Sequence, residues 1–187
     1  MLQAAIDNAL DGSVLGLGTD QSGAHHGLGN ALLWLAQHGG NSQAQQSKFQ
    51  HSVEAFMQAL TKRSLAFSAV DWSHTQAALG RAHALWSRAQ PVKRPQQRGQ
   101  LDAQQRFNHS TKHLEQSIAC YGLALSAPHT MGWAHAQANR LAVTNGFVRA
   151  QLLAELGGVW LELGTRTRNS ESVQAGIDCM QQALSRV

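Results

Sequence analysis

Large apolar residues recur in three twelve-residue stretches at steps of four, three and four. The first stretch carries Phe49, Val53, Phe56 and Leu60, the second Leu114, Ile118, Tyr121 and Leu125, the third Val173, Ile177, Met180 and Leu184. This is i, i+4, i+7, i+11, one stripe of a helix. Small residues repeat in register between them: Ser52, Ser117 and Gly176; then Ala55, Cys120 and Cys179; then Ala59, Ala124 and Ala183. Large side chains fill a groove while small ones admit a second helix closely. The pattern predicts one packing helix used three times, with Phe56, Tyr121 and Met180 turned to the core.

The rest of the chain reads as further helices. Residues 2–10 form a short one ended by Asp11-Gly12, followed by a loop rich in glycine (Gly12, Gly16, Gly18, Gly23). Residues 24–38 form the next, carrying Leu28, Leu32 and Leu35 and stopped by Gly39-Gly40. Ser42 caps a helix that runs through the first packing stretch to about Arg63. Asp71 caps another, bearing Trp72, Leu79, Leu85 and Trp86. Pro91 and Pro95 break the pattern over 90–98, which reads as an exposed connection. The central packing helix spans 101–126 and ends before Pro128. Thr130 caps a helix with Met131, Trp133 and Leu141 that closes at Asn145-Gly146; residues 147–163 make the next, ending at Gly164. Asn169 or Ser170 starts the last. About eight helices and no strand are predicted.

Each packing stretch is preceded by a helix containing Leu-Gly: Leu28-Gly29, Leu79-Gly80 and Leu156-Gly157. Glycine inside a helix costs roughly 1 kcal/mol against alanine. Repeating that cost at one place implies a neighbouring helix lying directly on the backbone there. The unit is then a helical hairpin, present three times.

Composition fits this reading. The 187 residues suffice for one domain with a sizeable core, and only three are proline. We divide it into a segment 1–23, first hairpins over 24–89, a basic connection at 90–103 and remaining hairpins over 104–187. The net charge of +4 is mild and partly confined to that connection, so it does not by itself imply nucleic acid. Met1-Leu-Gln-Ala-Ala-Ile-Asp has no basic stretch before a long apolar core, so neither a signal peptide nor a membrane partner is expected and a cytoplasmic location is. The two cysteines occupy one slot of the repeated helix, where a free thiol acts as a small apolar filler rather than half of a bridge.

The hairpins resemble the tetratricopeptide repeat, in which Leu-Gly marks a first helix and a small residue, an aromatic and Ala-Leu mark the second. Ser52/Phe56/Ala59-Leu60, Ser117/Tyr121/Ala124-Leu125 and Gly176/Met180/Ala183-Leu184 stand in those second-helix places. Asp71-Trp72 through Leu79-Gly80 is similar to the opening of divergent members, and Leu163-Gly164-Thr-Arg166 to the close of a first helix. The packing stretches lie 65 and then 59 residues apart (49 to 114, 114 to 173), where the family period is about 34. The expected fold class is therefore all-α: stacked antiparallel helical hairpins, as a right-handed superhelix of that kind or an irregular α–α bundle. The resemblance implies a concave face, lined mainly by first helices, that holds a peptide or another protein. By position its contact residues are Asn30, Trp34, Arg81, Trp86, Asn139 and Arg140. The plainer reading keeps the tryptophans in the core and the polar residues in water.

Other chemistry is thinly supported. Gly16-Leu17-Gly18 lacks the strand and third glycine of a dinucleotide site. His109 and His113 share a helix face with Cys120, but the reach is long for one metal ion, and no metal or other cofactor is expected. His25-His26 abuts a helix start. The carboxylates are scattered, and the cysteines are expected to be buried and unreactive, so no catalytic set emerges. Lys93, Arg94 and Arg98, with Arg106 and Lys112, form a basic cluster without interleaved aromatics. The expectation is a non-catalytic scaffold or adaptor that binds a protein or peptide. The alternatives are a nucleic-acid-associated regulator working through the 93–112 cluster, and a small helical metal protein or enzyme. Because end hairpins of a stack need covering, the last stretch is also expected to favour a homo-oligomer.

Overall fold

Six helices account for nearly all of the residues that the computed structural model describes: 21–39, 42–66, 68–90, 101–127 and 138–186, with backbone alone at 42, 101–103 and 138–145. They are α1 (Gln21–His38), α2 (Ser42–Lys62), α3 (Ala69–Ala89), α4 (Leu101–Ser126), α5 (Ala138–Thr167) and α6 (Ser170–Leu184). No strand occurs among these residues. The expected helix over 2–10, the start of the helix at Thr130 and the connection centred on Pro91 and Pro95 lie outside them.

Consecutive helices pair as α1 with α2, α3 with α4 and α5 with α6, and the hairpins stack through α2 on α3 and α4 on α5. The core is a row of clusters along that stack. Leu33, Ala36, Phe49, Val53, Phe56 and Leu79 close the first hairpin on the second. Leu114, Tyr121, Leu152, Leu156, Val159 and Leu163 close the second on the third. Burying such side chains contributes about 1.5–3 kcal/mol each, so the inter-hairpin seams hold the stack.

The Leu-Gly positions lie under the packing helices. A Cβ on Gly29 would stand 2.6 Å from the Phe56 ring. One on Gly80 would stand 3.1 Å from the Tyr121 ring and 3.3 Å from Cys120 Cβ. One on Gly157 would stand 2.9 Å from the carbonyl oxygen of Gly176 and from Met180 Cγ. The three hairpins thus share one crossing point, with the small residue at the fourth place and the large one at the eighth place of each stretch against the glycine.

Five expectations are corrected. There are six helices rather than about eight among the described residues. Asn145-Gly146 does not end a helix, and neither does Gly164: α5 runs through both. An interior glycine costs only about 1 kcal/mol, which the continuous stripe of Leu152, Leu156, Val159 and Leu163 outweighs. Gly164 instead admits the start of α6, since a Cβ there would meet the backbone nitrogen of Val173 at 2.7 Å. Asp71 is not the cap of α3, which follows Ser68; it sits in the first turn, where a carboxylate suits the helix dipole. Finally, Ile177 and Leu184 of the third stripe face solvent, at 38% and 77% exposure, because no further helix among the described residues covers that side. Asn169 does cap α6, its side chain accepting from the amides of Glu171 and Ser172.

Candidate binding face

The shared crossing point sets which way each first helix presents its free side. One residue past the glycine stand Asn30, Arg81 and Gly158; five past it stand Trp34, Leu85 and Glu162. Helical spacing puts Gln37 and Arg88 on the same face, one turn further along α1 and α3. Of these positions Gln37, Arg81, Leu85, Arg88 and Gly158 line a cleft of about 350 Å³, together with Ala84 from α3 and Ala154, Glu155 and Val159 from α5; Asn30, Trp34 and Glu162 do not line it. Tyr121 of α4 also lines it.

Charged side chains cross from α3 to α5. Arg81 Nη2 donates to Glu155 Oε1 at 2.5 Å, and Arg88 Nε donates to Glu162 Oε2 at 2.7 Å. Both pairs span the same two turns, since 81 to 88 and 155 to 162 are each seven residues. Glu155 also accepts from the Tyr121 hydroxyl at 2.7 Å and from Gln151 Nε2 at 3.2 Å. Glu162 also accepts from Arg166 Nη2 at 2.5 Å. Arg166 donates in addition to Ser87 Oγ at 3.0 Å and to Ser110 Oγ, tying α5 to α3 and α4. Burial and then the Glu155 carboxylate push the Tyr121 hydroxyl far above its usual pKa, so it remains a donor.

Trp34 stands on α1 one turn from Gln37, 58% exposed, its ring stacked on His38 at 4.4 Å between centroids. Asn30 is exposed one turn before it. Trp86 is half-buried in the seam between hairpins, stacked 4.2 Å from His113 and 6.4 Å from Phe49. Residues 138–145 contribute backbone alone, so the Asn139 and Arg140 side chains lie outside the described residues, as do Lys93, Arg94 and Arg98. Of Asn30, Trp34 and Arg81, only Arg81 lines the cleft; Asn30 and Trp34 are exposed on α1, in the helix that contributes Gln37 to it. Arg88, Glu155 and Glu162 were missed. A charge ladder between helices 74 residues apart leaves no local spacing to find; the i, i+7 recurrence of Arg on α3 and Glu on α5 was the only signal.

The histidine face does not converge on a metal. His113 Nδ1 lies 3.0 Å from His83 Nδ1, one ring donating and the other accepting, while Cys120 packs on Gly80. No group of three or more His, Cys, Asp or Glu side chains among the described residues is arranged to hold an ion. Burial holds both His83 and His113 down to about 4. The cysteines are free thiols, and burial pushes Cys120 up to about 11. No helix among the described residues is long and apolar enough to cross a membrane.

Compared with protein-family models, curated proteins and solved structures, the chain matches none of them. The class that stands is a stack of three helical hairpins with an open, charge-bridged cleft across its first helices.

Proposed function

We propose that the chain is a non-catalytic adaptor that works as tetratricopeptide-like repeats do, docking a peptide or protein segment on the side formed by its first helices. The observation that carries this reading is the cleft itself. It draws its lining from the first helix of all three hairpins, and that lining includes the small residues Ala84, Ala154 and Gly158, which leave room for an incoming chain. Trp34, exposed beside it, supplies the large rigid apolar surface that dominates protein interfaces. The ion pairs hold α3 and α5 at a set separation, which pre-organises the cleft and lowers the entropic cost of docking.

The test is capture of binding proteins by the immobilised full chain, compared with an N30A/R81A variant and with an M57A variant. Met57 is exposed on α2, away from the cleft. Loss of captured proteins with N30A/R81A and retention with M57A is the expected result. Equal capture by all three, or loss with M57A alone, overturns the reading.

A further inference from the structure

Resting on the docking reading, we infer that the occupant of the cleft is an extended peptide segment carrying two acidic side chains three residues apart, one held by Arg81 and one by Arg88. The hydrogen-bond inventory points there. Both carboxylates of the ladder are occupied: Glu155 receives Arg81, Tyr121 and Gln151, and Glu162 receives Arg88 and Arg166. Among the described residues Arg81 and Arg88 each donate to a glutamate from one nitrogen of a fork that offers five N–H groups. The cleft is therefore short of acceptors and rich in donors, and the groups that satisfy a guanidinium fork best are carboxylates and phosphates.

Exposure gives the same direction of approach. The arginine side chains are 50% and 48% exposed and their glutamate partners 24% and 20%, so an incoming group meets the guanidinium first. Geometry sets the spacing. Seven residues of helix rise about 10 Å, and a polyproline II segment covers about that span in three residues, one full turn, so that side chains three apart leave from the same face. A carboxylate fits better than a polyphosphate chain, because each arginine already carries a glutamate beside it and a run of phosphates would be repelled along the whole ladder.

The experiment is selection from a phage-displayed library of 12-residue peptides on the full chain, followed by fluorescence anisotropy with the enriched peptides. Enriched sequences are expected to hold two Asp or Glu residues three apart. Their affinity is expected to fall at least tenfold with R81Q/R88Q, and equally when the peptide acids become amides. Both arginines are half-exposed, so the variant keeps its fold, which circular dichroism checks. Neutral or basic peptides that lose affinity with W34A and not with R81Q/R88Q overturn the acidic assignment and leave the docking face standing. Peptides insensitive to both variants overturn both. A labelled single-stranded RNA 12-mer that binds more tightly than any selected peptide, and is lost with R81Q/R88Q, overturns the assignment in favour of phosphate. A library that yields no binder also overturns the acidic assignment and leaves the docking face to the capture experiment.

Discussion

The hydroxyl of Ser117 donates to the carbonyl oxygen of Gly80 at 2.7 Å, from the packing helix of the second hairpin to the backbone of its partner. Ser52 makes the same bond to Gly29, also at 2.7 Å. At the third crossing the serine is replaced by Gly176, and the helices close until a Cβ on Gly157 would meet the Gly176 carbonyl oxygen at 2.9 Å. One crossing geometry is thus kept three times across connections of different length.

That geometry separates two adjacent glycines of α5. Gly157 lies against backbone that cannot move aside cheaply, while a Cβ on Gly158 would meet nothing within 4 Å. Gly157→Ala is expected to destabilise by about 1–3 kcal/mol through overpacking. Gly158→Ala is expected to stabilise by roughly 1 kcal/mol through helix propensity. Urea unfolding midpoints of the two variants check both signs.

Tyr121 closes the seam between the second and third hairpins at 2% exposure and donates to Glu155. Removing the ring leaves a cavity at that seam, so Tyr121→Ala is expected to cost about 3–5 kcal/mol. A melting temperature within a degree of the parent would refute the placement.

His83 and His113 stay neutral in the fold, with values near 4 against about 6.5 in an unfolded chain. Below pH 6.5 the unfolded chain takes up protons that the fold refuses. Stability from this pair is therefore full above pH 6.5 and is lost as pH falls towards 4. One shift of this size corresponds to roughly 3 kcal/mol. Unfolding free energies between pH 7.5 and 4.5 are expected to fall steeply in the parent and less steeply in H83Q/H113Q.

Arg168, between α5 and α6, holds φ at 58°, and the next amide, Asn169, donates to the carbonyl of Gly164. This is the left-handed position after a helix that glycine usually fills. Arg168→Gly is expected to raise stability by about 1 kcal/mol, read from the thermal midpoint.

The packing helices and their Leu-Gly partners were legible because both signals are local. Helical periodicity marks Phe49, Leu114 and Val173 as heads of a stripe, and a glycine inside a helix marks the contact that needs it. The end of α4 at Ser126 was legible for the same reason, as Pro128 excludes continuation. Asn145-Gly146 misled because turn chemistry is a weak local preference, and the stripe from Leu152 to Leu163 overrides it through contacts with α4. Ile177 and Leu184 misled because periodicity tells which residues share a face but not whether another helix arrives to cover it. The Arg81–Glu155 and Arg88–Glu162 pairs were hard to find for a third reason: the i, i+7 spacing of Arg on α3 and of Glu on α5 does not say that the two helices are neighbours until the stack brings them together.

A partner docked as proposed lies across α1, α3 and α5. Hydrogen exchange of the full chain, with and without an enriched peptide from the library at saturation, tests it most directly. Added protection centred on segments 30–37, 81–88 and 154–162 is expected. Protection confined to α2, α4 or α6, with those segments unchanged, would contradict it.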